Sequence, residues 1–407
     1  MKNKIAVIFT LLISIINNAQ TLQDYLTMAE KNNPELKAMK YQYESALEKV
    51  NEAGSLPNTT IGAGYFVQEV ETRVGAQKAK LSVSQMLPWF GTLEAKKESA
   101  SLKAETKLNK LELAKRNLFL KVKTRYFQLF ELKATAEIVN ENIKILETFE
   151  NLALTALENN KTTMVDILKI RMKKNELSNN LNSIHENFKA TQIGFNLLLN
   201  TDEKTVLNVI DNSDMQFNNE QYQKELISNN PKLLELDNLK SSLEKSELAT
   251  KKEALPLIGL GFDYVFVDER PVTNLFDNGK DILMPMLSIS IPLFSKKYSS
   301  KQKQLQLDQK AIESTKVNTL NQLYALYESA KSKMISAKVD IQTQNENIIQ
   351  ANRAEKVLLA AYETSTVDFE QLLEIQQLKL TFQLNKVLSE KEYAIQNATL
   401  AYLTSNN

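Results

Sequence analysis

Two long stretches of this chain repeat apolar residues at the spacing of an amphipathic helix. In the stretch 93–158, for example, Leu118, Val122 and Leu129 fall four and seven positions apart. The stretch 297–363 is equally long, and neither contains Gly or Pro. Each therefore predicts an unbroken helix of roughly 100 Å at 1.5 Å per residue.

Each long helix is followed by a short polar turn and a return helix. The turns are 159–163 and 364–367, and the return helices run from 164 to about 200 and from 368 to about 403. Helices of this length must pack as a coiled coil or bundle. Taken alone, they fit an ordinary coiled-coil scaffold equally well.

Two other windows, about 58–88 and 256–293, alternate with period two and predict a pair of strands each. Ile61, Ala63 and Tyr65 share one face in the first window, and Phe262 and Tyr264 share one in the second. The opposite faces carry Gly, Ser and Asp. We expect strands of about 9–12 residues, enough for a tilted crossing of a bilayer.

A half-buried sheet in a soluble domain produces the same alternation. A charge-free aromatic face opposite a small, polar face favours strands between lipid and a wet lumen. Four strands cannot close a barrel, because the smallest such barrels need about eight. This interpretation therefore requires an oligomer, with eight strands from two chains or twelve from three.

Three short motifs recur in the same order in the two halves of the chain. Asn33-Pro34 returns as Asn230-Pro231, and Leu56-Pro57 as Leu255-Pro256. Leu-Ser-Val-Ser at 81–84 returns as Leu-Ser-Ile-Ser at 287–290. The order indicates a tandem duplication. It predicts a first repeat over 20–210 and a second over 211–407, each a helix, two strands and a long helical hairpin.

Composition excludes several classes of function. There are 9 Gly, 8 Pro, no Cys and one His, His185. Thiolate metal sites are impossible, a catalytic triad would depend on His185, and no phosphate-binding glycine motif is present. We therefore expect no enzyme activity, cofactor or metal site. The formal net charge of +1 argues against a nucleic-acid partner.

The first 19 residues have the pattern of a secretory signal peptide. Lys2 and Lys4 precede the apolar run 5–16, and Ala19 supplies a small residue for cleavage. The alternative, a short membrane anchor, is disfavoured because the run is too short to span a bilayer. No Cys follows, so a lipoprotein is not expected. We predict export across an inner membrane.

These motifs together resemble the outer-membrane efflux (TolC-like) family, over essentially the whole mature chain. The resemblance implies an α+β, mostly α protein. Its long antiparallel coiled-coil barrel would cross the periplasm, and four strands per chain would form a trimeric twelve-stranded transmembrane β-barrel. It further implies a homotrimer in outer-membrane lipid. That trimer would be the passive exit duct for a periplasmic adaptor and an inner-membrane pump of the resistance-nodulation-division type.

A finer resemblance concerns the heavy-metal (CzcC/CusC-type) branch, carried by residues 70–75 and 85–91. It would make heavy-metal cations the cargo.

The chain departs from the family pattern at Asn160, Ser365 and Ser295, which stand where Gly is usual. The alternative to a channel is a periplasmic coiled-coil adaptor or structural scaffold, although 9 Gly are few for an adaptor.

In the family the periplasmic helix ends close the tunnel, so acids at these ends are the gate or constriction candidates. They are Asp368, Asp166 and Glu370. In a trimer each would form a ring of three carboxylates that attracts cations, whereas the alternative for each is a solvated acid that favours a helix start.

The predicted adaptor or pump contacts are Asn160, Lys161, Thr162, Thr163, Ser365 and Thr366. The predicted interfacial aromatics are Tyr65, Trp89 and Phe90, with ordinary core packing as the alternative for Trp89.

Overall fold

The computed structural model describes residues 21–159, 162–209, 222–271, 274–364 and 366–404. Helices dominate these ranges, and one four-stranded antiparallel sheet accompanies them. In chain order the elements are α1 (Leu22–Asn32), α2 (Pro34–Ala53), β1 (Thr60–Thr72), β2 (Gly75–Leu87), α3 (Thr92–Glu158), α4 (Met164–Leu198), a 3₁₀ helix (Lys224–Asn229), α5 (Pro231–Glu253), β3 (Leu257–Val267), β4 (Ile282–Ser290), α6 (Lys297–Glu363) and α7 (Phe369–Thr404). The predicted fold class is confirmed.

The two Asn-Pro motifs begin α2 and α5 in the same way. Asn33 and Asn230 have nearly the same extended backbone, with φ −61° and ψ 122° in one and φ −63° and ψ 130° in the other. A residue before Pro favours this conformation, and Pro suits the first turn of the helix that follows. The Asn230 side chain accepts a hydrogen bond from the Lys232 amide (3.0 Å) and so caps α5.

The strands form a simple meander in the order β1-β2-β3-β4. One edge of β1 and one edge of β4 pair with no other strand within the described ranges. β1 and β2 are 13 residues each, longer than the predicted 9–12. Their ladder continues up to a tight turn at 73–74, where the Thr72 hydroxyl donates to the Gly75 carbonyl at 2.7 Å.

The chain divides into two compact units. The sheet unit comprises Pro34–Arg116, Tyr222–Glu328 and the residues from Ala401 onward. In it, the Ser99 hydroxyl on α3 lies 2.7 Å from that of Ser246 on α5 and donates to the Ser242 carbonyl at 3.0 Å. Small side chains and these hydrogen bonds allow the two helices to approach closely.

The helical unit comprises the residues up to Asn33, Asn117–Gln221 and Ser329–Leu400. Its core is apolar and includes the predicted positions Leu118, Val122 and Leu129, which are all buried. Near α1, the rings of Tyr25 and Phe195 meet edge to face at 5.2 Å. None of the helices in the described ranges combines the length and apolar character needed to cross a membrane.

Candidate functional site

One face of the sheet is apolar across all four strands. The register places Val83 of β2 between Ile61 of β1 and Phe262 of β3. Further along, Leu260 of β3 lies opposite Leu287 of β4. Many of these side chains are exposed, in contrast to the buried face of a soluble sheet. The exposed apolar side chains of the four strands include Ile61, Tyr65, Val67, Val70, Leu81, Val83, Leu260, Phe262, Phe266, Leu283, Leu287 and Ile289.

The opposite face carries the small and polar residues of the sheet together with several larger apolar ones, among them Val265, Met284 and Met286. Cross-strand neighbours there include Gly62 with Ser82, and Gly259 with Ser288. A side chain at Gly259 would collide with the Ser288 hydroxyl and the Met86 sulfur, so these side chains would have to move to admit it. The predicted separation into an apolar and a small, polar face is clear in β1 and at the Ser288 end of β4, whereas the rest of β4 is apolar on both faces.

The predicted interfacial aromatics lie on and beside the sheet. Tyr65 is 73% exposed on the apolar face, and Phe90 is 78% exposed where β2 connects to α3. Trp89 is partly buried and packs edge to face on Phe90, with ring centroids 6.1 Å apart. The equivalent connection from β4 to α6 exposes Phe294, whose φ of 59° is rare for a bulky side chain.

In the helical unit, the first turn between helices ends in a capping box. The Asp166 carboxylate accepts hydrogen bonds from the Thr163 amide (3.0 Å), the Thr163 hydroxyl (2.7 Å) and the Thr162 hydroxyl (2.9 Å). Partial burial alone would raise the pKa of this carboxyl, but the hydrogen bonds outweigh it and hold the pKa below its usual value. Asp166 thus serves the start of α4.

The second turn is built differently. Asp368 directly precedes α7, and its carbonyl accepts a hydrogen bond from the Gln371 amide at 3.2 Å. Its side chain is exposed, and the carboxylate has no hydrogen-bond or ion-pair partner among the described residues. The next side chain, Phe369, is buried against Phe149 and Tyr362, at centroid distances of 5.9 and 5.4 Å. The backbone of Asp368 is therefore held in the turn, while its carboxylate has no partner among the described residues.

The third gate candidate, Glu370, joins the two return helices. Its carboxylate accepts a hydrogen bond from the Lys169 ammonium on α4 at 3.0 Å, and this bond raises the pKa of Lys169. Beside this pair lies a cavity of about 220 Å³, with the buried amides of Asn142 and Gln376 in its lining. The Gln376 amide donates to Asn142 at 2.6 Å, which links α7 to α3.

Sequence reasoning did not find these two cross-helix contacts, because nothing local in the sequence tells which helices become neighbours. The other predicted tip contacts are only partly described. Thr162 is partly buried, and Thr163 and Thr366 are exposed. Asn160, Lys161 and Ser365 lie outside the described residues, as does the predicted signal peptide.

Comparison with known proteins finds a family match for part of the chain. Residues 25–195 match the family model described as outer membrane efflux protein. The resemblance inferred from the short motifs is therefore confirmed. No curated protein sequence matches the chain.

Solved structures extend the fold likeness to nearly the whole chain. A structure of CusC is 12% identical with a TM-score of 0.79, covering 94% of this chain and 91% of its own. VceC from Vibrio cholerae is 14% identical with a TM-score of 0.76, covering 94% and 96%. OprN, described as an outer-membrane channel, is 13% identical with a TM-score of 0.79, covering 95% and 90%. At these identities the likeness shows a shared fold.

Proposed function

We propose that this protein is the outer-membrane channel of a tripartite efflux system, a homotrimer through which substrates pass passively to the outside. The observation that carries the proposal is the four-stranded sheet. Its apolar face is exposed, and its two outer strands each present an unpaired edge within the described ranges. The family match of residues 25–195 supports the same conclusion.

The unpaired edges favour an oligomer, and the family resemblance makes three the proposed number of copies. An open edge in lipid leaves backbone N–H and C=O groups without partners, at several kcal/mol for each group. If β4 of one protomer pairs with β1 of the next, three copies close a twelve-stranded barrel and remove every edge. The apolar side chains then face lipid, while glycine, serine and the other small residues face a wet lumen.

The gate of this channel lies, we propose, at the turns between the long and return helices. Of the three acids, Asp368 is the one whose charge is unpaired within the described residues. In a trimer it forms a ring of three carboxylates that attracts cations and repels its own copies. Glu370 forms an ion pair with Lys169, and Asp166 accepts the hydrogen bonds of its capping box. Both therefore contribute less to the attraction of cations.

Partners and cargo follow from the family resemblance. We propose that a periplasmic adaptor and an inner-membrane pump, of the resistance-nodulation-division type, meet the exposed turn residues Thr163 and Thr366 and their neighbours. A signal peptide over residues 1–19 would direct export. Heavy-metal cations are the proposed cargo on the strength of the segments 70–75 and 85–91.

Cell fractionation and electrophoresis test the channel proposal. Expressed with its leader, the protein should fractionate with outer membranes and need detergent for extraction. It should run as a heat-modifiable trimer. A soluble monomer in the periplasmic fraction would contradict the proposal and favour the alternative, a coiled-coil adaptor or scaffold.

A variant pair refines this test. Leu287→Lys places a charge on the exposed apolar face of β4, whereas Ser288→Lys places it on the opposite face. If the apolar face meets lipid, Leu287→Lys should reduce trimer yield much more, because a lysine at the bilayer midplane costs about 2–4 kcal/mol. Equal yields would indicate that this face is not in lipid.

A further inference from the structure

The central part of the sheet contains just two charged side chains. Among the residues 60–65, 79–87, 257–266 and 282–290, only Lys80 and Asp263 carry charge. Both lie on the small, polar face, since Lys80 pairs with Gly64 in register and Asp263 with Ser82. Two opposite charges in an otherwise neutral surface need a physical explanation.

These two side chains contact each other across β2 and β3. The Lys80 ammonium forms an ion pair with Oδ2 of Asp263. The Asp263 side chain is fully buried, whereas that of Lys80 remains 39% exposed. The other carboxylate oxygen, Oδ1, has no hydrogen-bond partner among the described residues. Lys80 is therefore the principal counter-charge of a buried carboxylate.

Because the Lys80 side chain is more exposed than that of Asp263, a solute contacts the ammonium and not the carboxylate. A buried carboxylate without a counter-ion is strongly unfavourable, so Asp263 holds the lysine in place. The ammonium covers the carboxylate and keeps part of its own surface open. On the small, polar face the pair is neutral in sum and presents its positive end.

We propose that Lys80 and Asp263 set the ion preference of the strand-built part of the channel. This inference rests on the proposed channel function. Three such pairs, one from each protomer, form a charge-compensated ring in the lumen. The ring cancels the pull of Asp263 on cations, and its exposed ammonium groups contact anionic groups of passing solutes. A lysine on a polar strand face thus acts as a specificity-determining residue of the exit.

The test is the reversal potential of single channels in planar bilayers under a KCl gradient. Asp263→Asn keeps the side-chain shape and leaves three ammonium groups uncompensated. It should shift the permeability ratio of K⁺ to Cl⁻ several-fold towards Cl⁻, more strongly at low salt because screening is weaker. Lys80→Gln should shift the ratio towards K⁺, because it uncovers the carboxylates.

Two controls isolate the pair. The double variant Lys80→Gln/Asp263→Asn should return the ratio to that of the unmodified channel, since neither charge remains. Lys78→Gln removes a lysine that pairs instead with Glu69 and Asp268, outside the central rows, and should leave the ratio unchanged. The heat-modifiable trimer band establishes that each variant assembles.

The outcomes separate this inference from the channel proposal. If the unmodified protein conducts but neither single variant changes the ratio, the Lys80–Asp263 inference is wrong and the channel stands. The same conclusion follows if the double variant keeps the shift of Asp263→Asn. If one single variant does not assemble, the opposite shift expected of the other still decides the matter. Absence of any conductance in the unmodified protein overturns both.

Discussion

The two helical hairpins, α3–α4 and α6–α7, each follow a pair of strands, yet their turns are built differently. Both hairpins are held by a glutamate and a lysine 24 residues apart, Glu150–Lys174 at 2.8 Å and Glu355–Lys379 at 2.6 Å. At the turns themselves, the first has a capping box with Asp166. The second has an exposed Asp368 and no such box among its described residues.

This difference separates an acid that stabilises its own turn from an acid whose carboxylate has no partner among the described residues. An acid hydrogen-bonded to its own helix start stabilises the turn but has little charge left for a solute. An exposed acid contributes little to the turn and keeps its charge. The helices also differ beyond the turns: Arg171 binds Glu150 of its own hairpin, whereas Gln376 reaches Asn142 of the other.

The largest expected effect is on the pH dependence of stability. It compares Glu390 of α7, which is buried, with His185 of α4, which is exposed. Burial raises the pKa of Glu390 from 4.5 to about 7, and Lys386 at 3.7 Å offsets this only in part. Because the pKa of Glu390 is raised in the folded state, its contribution to the free energy of unfolding is complete below pH 4.5. That contribution is lost as the pH rises through 7.

Glu390→Gln should therefore remove a pH-dependent loss of stability on the order of 3 kcal/mol between these pH values. Chemical denaturation of the detergent-solubilised trimer at pH 4.5 and 8 measures it. His185→Gln is the control and should change stability little at either pH. If Glu390→Gln retains the full pH dependence, the burial difference between α4 and α7 has no energetic consequence.

The next effect concerns the capping box. Asp166→Ala removes three hydrogen bonds from the carboxylate and should destabilise the start of α4 by about 1 kcal/mol. Since the pKa of Asp166 is lowered, this stabilisation is present above the unfolded pKa and is lost as pH falls through the folded one. Hydrogen exchange in the first turn of α4 measures it.

The matched control is Gln371→Ala, at the equivalent position of α7. Its side chain has no hydrogen bond among the described residues, so exchange in the first turn of α7 should change little. Equal acceleration of exchange in the two variants would show that the turns are not stabilised differently.

The smallest effect concerns the ion pair between Lys169 and Glu370. Both side chains are largely accessible, at 39% and 62%, so their coupling in a double-mutant cycle should be below about 1 kcal/mol. It should weaken further at high salt. A coupling well above that value would mean that Glu370 is part of a buried gate, and the contrast with Asp368 would fail.

The sequence predicts well the features that depend on local pattern. The absence of Gly and Pro makes α3 and α6 predictable, and period two assigns the faces of Tyr65 and Phe262 correctly. The Thr-x-x-Asp pattern at Thr163 is typical of a capping box, although Asp166 was predicted as a gate candidate.

Contacts between distant segments were beyond prediction. Lys80 and Asp263 meet because β2 of one repeat pairs with β3 of the other, and their register depends on the whole ladder. Gln376 and Asn142 meet because α7 packs on α3. Helical periodicity tells which face of a helix is buried but not which neighbour covers it.

The reversal potential in planar bilayers tests most directly whether this protein is a trimeric channel whose helix turns present Asp368 to permeating ions. The unmodified protein should show discrete, cation-preferring conductance. Asp368→Asn should lower that preference several-fold, while Asp166→Asn should leave it nearly unchanged. Absence of conductance, or equal effects of the two variants, would contradict the account.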